Sequence, residues 1–231
     1  MRSVLAGILL AVALVAAGCG GSSSGGGTNG EASKSGQQVL KDAVKAAESA
    51  SSVHLSGQVS AVGQQIGLDM TLVKGKGATG SLTLGGQKVD LVVIGTAGYM
   101  KAGGAFWSQF GGSNGSAVAR LVQNQWVKVP TTDAQFGEIT SLTDSKSFFD
   151  SLGSISGTAT NKGATTYKGQ NVVEIDNQGK LYVANTGTPY PVAAVATGVG
   201  AGGTITFDNW NKSVTLTAPA GALDFSNLAG G

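Results

Sequence analysis

Residues 53–94 read VHLSGQVSAVGQQIGLDMTLVKGKGATGSLTLGGQKVDLVVI, and the alternation within them decides the fold. Val53, Leu55, Gly57, Val59 and Ala61 take one side of an extended chain, and His54, Ser56, Gln58 and Ser60 the other. Ile66, Leu68, Met70 and Leu72 alternate in the same way against Gln65, Gly67, Asp69 and Thr71. Two more runs, 78–84 and 88–94, are separated by Gly85-Gly86-Gln87, a hairpin-type turn. A further short strand is expected over 95–101. Strands joined by such short turns form an antiparallel meander, because parallel neighbours need a crossover of about a dozen residues.

Upstream of the meander, Val39, Leu40, Ala43, Val44 and Ala47 recur at three- and four-residue spacing opposite Lys41, Asp42, Lys45 and Glu48. This spacing predicts one amphipathic helix with a narrow apolar stripe. Downstream, Phe106, Trp107 and Phe110 lie among glycines in a stretch without clear period. A short helix is expected over 117–122 and a strand over 125–129, closed by Pro130. A second helical region over 136–152 carries Ile139, Leu142, Phe148, Phe149 and Leu152, with Asp144 as an internal cap. More strands are expected at 154–162, 167–176, 180–185, 193–197, 203–210 and 213–216, followed by a tail leaving the sheet. The fold class is α+β. A single antiparallel sheet of this length has to coil, since neighbouring strands twist by roughly 20–25°, and the helices then cover its concave face.

The N-terminus has its own character. Arg2 precedes an apolar run, Val4 to Ala17, which is shorter than the roughly 20 residues of a membrane span. Ala16, Ala17 and Gly18 then lead into Cys19, the single cysteine of the chain. This arrangement resembles the lipobox of bacterial lipoproteins, with Ala16 where Leu is usual. It implies a signal peptide over 1–18, a diacylated Cys19 as lipid anchor, and an extracytoplasmic position at the cell membrane. The alternative is an ordinary signal peptide with an incidental thiol. The Gly/Ser-rich stretch from 19 to 36 has too little apolar content to order itself and is expected to be a tether with a typical span of about 20–25 Å. The folded body is then 37–231, long enough for one core. Removal of Arg2 with the signal peptide leaves 14 basic and 13 acidic residues in the chain, a net of +1, and no Lys/Arg cluster is interleaved with aromatics, so no nucleic-acid partner is expected.

The C-terminal half carries a family resemblance. Tyr182, Val183, Thr186, Gly187 and Pro189, with Asn185 where an acid is common, resemble a strand-and-turn pattern of the actinobacterial LppX/LprG-type lipoproteins, relatives of the LolA/LolB carriers. Phe207, Asp208, Trp210, Val214, Ala218 and Pro219 are similar to the family's last hairpin, with Ser213 replacing the usual Pro. Residues 53–57 and 126–130 match its first strand and the strand before its helical insertion. The resemblance implies a half-open barrel of about eleven strands whose apolar cavity holds acyl chains of lipids or glycolipids.

Catalytic chemistry finds little support. His54 is the sole histidine, Cys19 is assigned to the anchor, and no Gly-x-Ser-x-Gly elbow is present. Zinc lacks ligands, and the glycine clusters do not fall between a strand and a helix as a phosphate or dinucleotide loop would require. Glu174 and Asp176 share one side of a strand as its solvated face. No enzyme activity, metal or cofactor is expected.

The abundant feature is apolar alternation. Ile66, Leu68, Met70, Leu72, Leu82, Leu84, Leu91 and Val93 are expected on the concave side, with Phe110, Phe148 and Phe149 at a mouth or lid. These eleven form the candidate ligand cavity; filled by helix side chains, the same residues form an ordinary core. At about 25 cal/mol per Å², two or three buried acyl chains supply ample affinity without specific polar contacts. Lys74, Lys76, Lys88 and Lys101 fall near the strand ends, where they meet anionic headgroups or protect edges. The expected function is a membrane-anchored carrier of lipid or glycolipid chains, a monomer, with an envelope lipid transporter as a further partner. The alternative is a non-transporting sensor or scaffold of the same fold.

Overall fold

A computed structural model describes residues 27–61, 64–110, 115–131, 142–154, 157–198 and 201–229. Twelve strands form one open sheet. In chain order they are β1 (Ser52–Ala61), β2 (Gln64–Val73), β3 (Gly77–Leu84), β4 (Gln87–Ile94), β5 (Ala97–Ala102), β6 (Trp126–Pro130), β7 (Thr160–Tyr167), β8 (Gln170–Asp176), β9 (Gly179–Ala184), β10 (Pro191–Gly198), β11 (Ala201–Asp208) and β12 (Leu223–Asp224). Their spatial order is β12-β6-β5-β4-β3-β2-β1-β11-β10-β9-β8-β7. Two meanders, β1–β6 and β7–β11, are therefore joined where β1 pairs with β11, from His54 opposite Asp208 to Ala61 opposite Ala201. All pairings are antiparallel except β12 with β6. The count is twelve against an expected eleven or so; the single antiparallel sheet of an α+β fold is as the alternation predicted, and its half-open form is as the resemblance implied.

The register carries one row of facing residues across nine strands, from β8 to β5: Ile175, Leu181, Ala194, Ile205, Gly57, Leu68, Leu82, Val89 and Ala102. Gly57 sits in this row at φ 151°, where an added Cβ would run into the Thr204 carbonyl. Only glycine permits the close, strongly coiled approach of β1 to β11 there.

Among the described residues five α-helices accompany the sheet: α1 (Gly36–Ser49), α2 (Gly104–Phe110), α3 (Gly115–Val122), α4 (Ser145–Gly153) and α5 (Phe225–Ala229). Helix α1 starts at Ser35, whose side chain accepts from the Gln38 amide at 3.3 Å, an N-cap. Its buried face is Val39, Leu40, Ala43, Ala46 and Ala47. Helix α4 is capped by Asp144 as expected, Oδ1 accepting from the Ser147 amide at 2.7 Å. Residues 136–141, Ile139 among them, lie outside the described residues.

Five expectations need correction. Residues 27–35, assigned to the flexible tether, are docked. Thr28 bridges to Thr186, the Asn29 side chain donates to Ala184 O and Gly187 O at 2.8 and 3.1 Å, and Asn161 Nδ2 reaches the carbonyls of Glu31, Ala32 and Lys34. The ordering comes from polar side chains that no apolar period marks. Second, Phe106 and Trp107 are helical and fully buried, not part of an irregular stretch. Third, the strand expected over 154–162 starts only at Thr160 and continues to Tyr167. Fourth, 167–176 is not one strand: the chain turns at Lys168-Gly169, both at positive φ (46° and 81°), and separates β7 from β8. Fifth, residues 213–216 join no strand, because both sides of β11, the strand they would fold back on, are already taken by β1 and β10. The tail then returns to the opposite edge of the sheet, where β12 pairs with β6 and Phe225 stacks on Trp107 at 6.2 Å.

Candidate functional site

The eleven residues expected to line a cavity fall mostly in packed core. Leu68, Met70, Leu72, Leu82, Leu91, Val93 and Phe149 are all buried in one cluster with Phe106, Trp107, Phe207 and Phe225. Ile66, Leu84 and Phe148 are partly buried against it. Phe149 lies 5.7 Å from the rings of both Phe207 and Trp210, and Phe106 meets Trp107 edge-on at 5.3 Å. Such pairs fill the β1–β6 concavity with the protein's own aromatics. The side chain of Phe110, and Cys19, lie outside the described residues.

An apolar hollow is present under the other meander. A pocket of about 240 Å³ is lined by Leu40 of α1, Leu152 of α4, Val59, Ile175, Leu181, Ala194, Val195, Ala196 and Ile205. Asn177, Gln178, Gly179 and Lys180 line it at the β8–β9 turn. None of the eleven expected residues takes part. The cause is local chemistry. Where β1–β6 present leucines and methionines to large rings, this floor has Ala194, Ala196 and Gly179, facing a helix whose buried side is largely alanine. A separate cluster of Val39, Leu40, Ala43, Ala159, Val173, Ile175, Leu181 and Val183, without an aromatic ring, borders the pocket through Leu40, Ile175 and Leu181. A more open, charged groove of about 310 Å³ runs along the seam of α1 and α4, between Lys41, Lys45, Glu48 and Asp150.

The pocket is small for its expected cargo. An apolar cavity of roughly 150 Å³ accepts benzene, and drug-sized ligands occupy about 300–1,000 Å³. About 240 Å³ therefore accommodates a segment of one alkyl chain, and not the two or three chains expected. The signal that could have located it is the exchange of large for small residues along 193–196.

The charged pairs alternate with Ile175 and Leu181 along β8 and β9 and so lie on the convex side, with Lys180 also bordering the pocket at the turn. Lys180 Nζ is 2.9 Å from Glu174, whose carboxylate raises the lysine pKa, and Asp176 lies 4.0 Å from Lys162. The pair on β8 is thus solvated and partnered by lysines. His54 Nδ1 is 2.8 Å from Asp208 and Nε2 is 2.9 Å from Asp69. Burial pulls the imidazole pKa down, but the two carboxylates outweigh it and the net shift is upward. Both ring nitrogens are engaged, so this histidine clips β2, β1 and β11 together. Among the described residues no group of His, Asp or Glu side chains is arranged to hold a metal, and no helix is long and apolar enough to cross a membrane.

No protein-family model and no curated protein matches the sequence. Solved structures do match the fold. LprF from Mycobacterium bovis superposes with a TM-score of 0.57 at 18% identity, over 80% of this chain and 97% of that one. The Mycobacterium tuberculosis lipoprotein LppX gives a TM-score of 0.50 at 14% identity, over 79% and 98%. The chain therefore has the LppX/LprF fold, the architecture that its strand-and-turn motifs resemble.

Proposed function

We propose that this protein is a lipid-anchored envelope protein that shelters one alkyl chain of a lipid or glycolipid in the pocket between α1, α4 and β8–β11 and carries it, without catalysis. The observation that carries the reading is an apolar pocket of about 240 Å³ inside a curved sheet of the LppX/LprF fold. The Ala-Ala-Gly-Cys sequence ending at Cys19 supports membrane attachment through an acylated thiol. Engagement of both His54 nitrogens by carboxylates is in keeping with a non-catalytic role. A monomer that receives cargo from an envelope transporter fits the same scheme. Native mass spectrometry of the acylated protein from its own envelope tests it: a lipid adduct is expected beyond the anchor mass, and Ala194→Trp is expected to abolish it while the fold persists. Protein without adduct that also fails to take up a fluorescent fatty acid sinks the reading.

One observation favours a second reading. Aromatic packing closes most of the concave face, as a sensor or scaffold without cargo would require. That reading predicts no loss of function in Ala194→Trp and a protein partner recovered by crosslinking.

A further inference from the structure

The two ends of the barrel differ in charge. At one end lie the β2–β3 turn Lys74-Gly75-Lys76, the β7–β8 turn Lys168-Gly169, the loop 185–190 and the segment 209–212. Backbone hydrogen bonds join parts of this rim: Lys74 N donates to Ser51 O and Asn211 N to Ser52 O, while Asn211 Nδ2 donates to the Tyr190 hydroxyl at 2.7 Å. Lys74, Lys76, Lys168 and Lys212 are exposed, and these turns contain no acidic residue. Of the carboxylates bordering this rim, Asp208 is paired with His54, and Glu48 lies 3.8 Å from Lys146 and within the field of Lys74. Half-buried Tyr190 and Trp210 stack at 4.4 Å on the same rim. At the opposite end, the hairpin turns Gly85-Gly86 and Asn177-Gln178 are uncharged, Lys88, Lys162 and Lys180 beside them are paired with Asp90, Asp176 and Glu174, and the β5–β6 connection adds the exposed Arg120; the pocket lining gathers towards Asn177-Gln178.

The N-terminal chain enters at the basic end, where Thr28 bridges to Thr186 and Asn29 N donates to Asn185 O at 3.0 Å. From Cys19 to Gly27 the chain spans at most about 28 Å when fully extended, less than the length of a ten-residue strand, about 33 Å. Lysines beside a partly exposed Trp–Tyr pair are the chemistry suited to an anionic bilayer surface.

We propose that this basic, aromatic rim is a docking face for anionic lipid headgroups, and that it holds the mouth of the apolar pocket away from the anchoring membrane. The orientation rests on the reading of Cys19 as the anchor; affinity for anionic bilayers does not.

Two measurements test the two halves. The mature chain, residues 19–231 without the signal peptide and carrying Cys19→Ser so that it cannot be acylated, is sedimented at low salt with phosphatidylcholine vesicles with and without phosphatidylglycerol. Binding only to the anionic vesicles is expected. Each lysine near such a surface contributes about fivefold, so Lys74→Gln, Lys76→Gln, Lys168→Gln and Lys212→Gln together lower partition about a hundredfold or more. The control set Lys88→Gln, Lys101→Gln, Lys128→Gln and Lys162→Gln, equal in charge but on strand faces, has a far smaller effect. Equal losses in the two sets, or equal binding to neutral vesicles, overturn the docking face.

For orientation, single cysteines are introduced by Thr188→Cys at the basic end and Gln65→Cys at the other, in the acylated protein on anionic vesicles. Energy transfer to headgroup-labelled lipid is expected to be stronger from position 188, and equal or reversed transfer overturns the orientation. A chain whose Cys19 is not acylated fails to float with neutral vesicles, which separates loss of the anchor from loss of the docking face. Loss of the pocket reading appears only in lipid uptake.

Discussion

The two meanders share one alternation and one concave face, yet they fill it differently. Under β1–β6, Leu82, Leu91 and Met100 meet Phe106, Trp107, Phe149 and Phe225, and all of them are fully or almost fully buried. Under β8–β11 the inward positions are Ile175, Leu181, Ala194 and Ile205, the cover is an alanine-faced helix, and about 240 Å³ stays open. An alternating strand specifies which face is buried. The volume of the partners specifies whether that face is filled, because close-packed interiors leave a void only where the surrounding side chains are too short to meet. One sheet thus supports a stabilising half and a receptive half.

The largest expected effect lies in the filled half. Trp107→Ala removes a fully buried ring that contacts Phe106 and Phe225. It is expected to lower unfolding free energy by about 3–5 kcal/mol, read by denaturant unfolding; a loss as small as that of a surface substitution would erase the contrast between the halves.

The N-terminal clamp on the receptive half comes next. Asn161→Ala frees the carbonyls of Glu31, Ala32 and Lys34 and is expected to cost about 1–3 kcal/mol. Amide exchange should accelerate in residues 29–35 before it does so in β1–β6.

Ala194→Trp sharpens the comparison directly. Because the larger ring enters existing space, it should cost no more than about 1–3 kcal/mol while removing fatty-acid uptake. If the same substitution costs as much stability as Trp107→Ala, the receptive half has no usable room.

The smallest effect concerns the seam. His54 joins β1 to β2 and β11 through Asp69 and Asp208, and its pKa is raised. A raised folded-state pKa means that the clip contributes fully below the unfolded value of about 6.5 and is lost as pH rises through the folded value. The contribution of these partly exposed pairs should stay below about 1 kcal/mol. Asp69→Asn combined with Asp208→Asn should flatten the stability profile across that window, and an unchanged profile would remove the seam from the account.

Much of the fold was legible because period-two alternation is local. Residues 53–94 predicted four strands and their turns, and the three- and four-residue spacing of 39–47 predicted α1. Failures occurred where a local signal competed with a distant one. Lys168-Gly169 turns the chain although lysine is a poor marker of a left-handed turn, and 213–216 alternates like a strand but finds both sides of β11 occupied. Asn161 orders residues 31–34 from 127 to 130 positions away, a contact that no window of sequence contains.

By itself the sequence determined that this chain makes a long antiparallel sheet with an apolar inner face, an amphipathic helix against it, and a single cysteine after a short apolar run. Burying one face of alternating strands drives that outcome whatever the partners are. Only the tertiary structure decided which part of the face stays open, because that depends on how aromatic rings from α2, α4 and α5 and alanines from α1 and β10 meet across space. Side-chain volume is a local property, but the void it leaves belongs to the assembled pair.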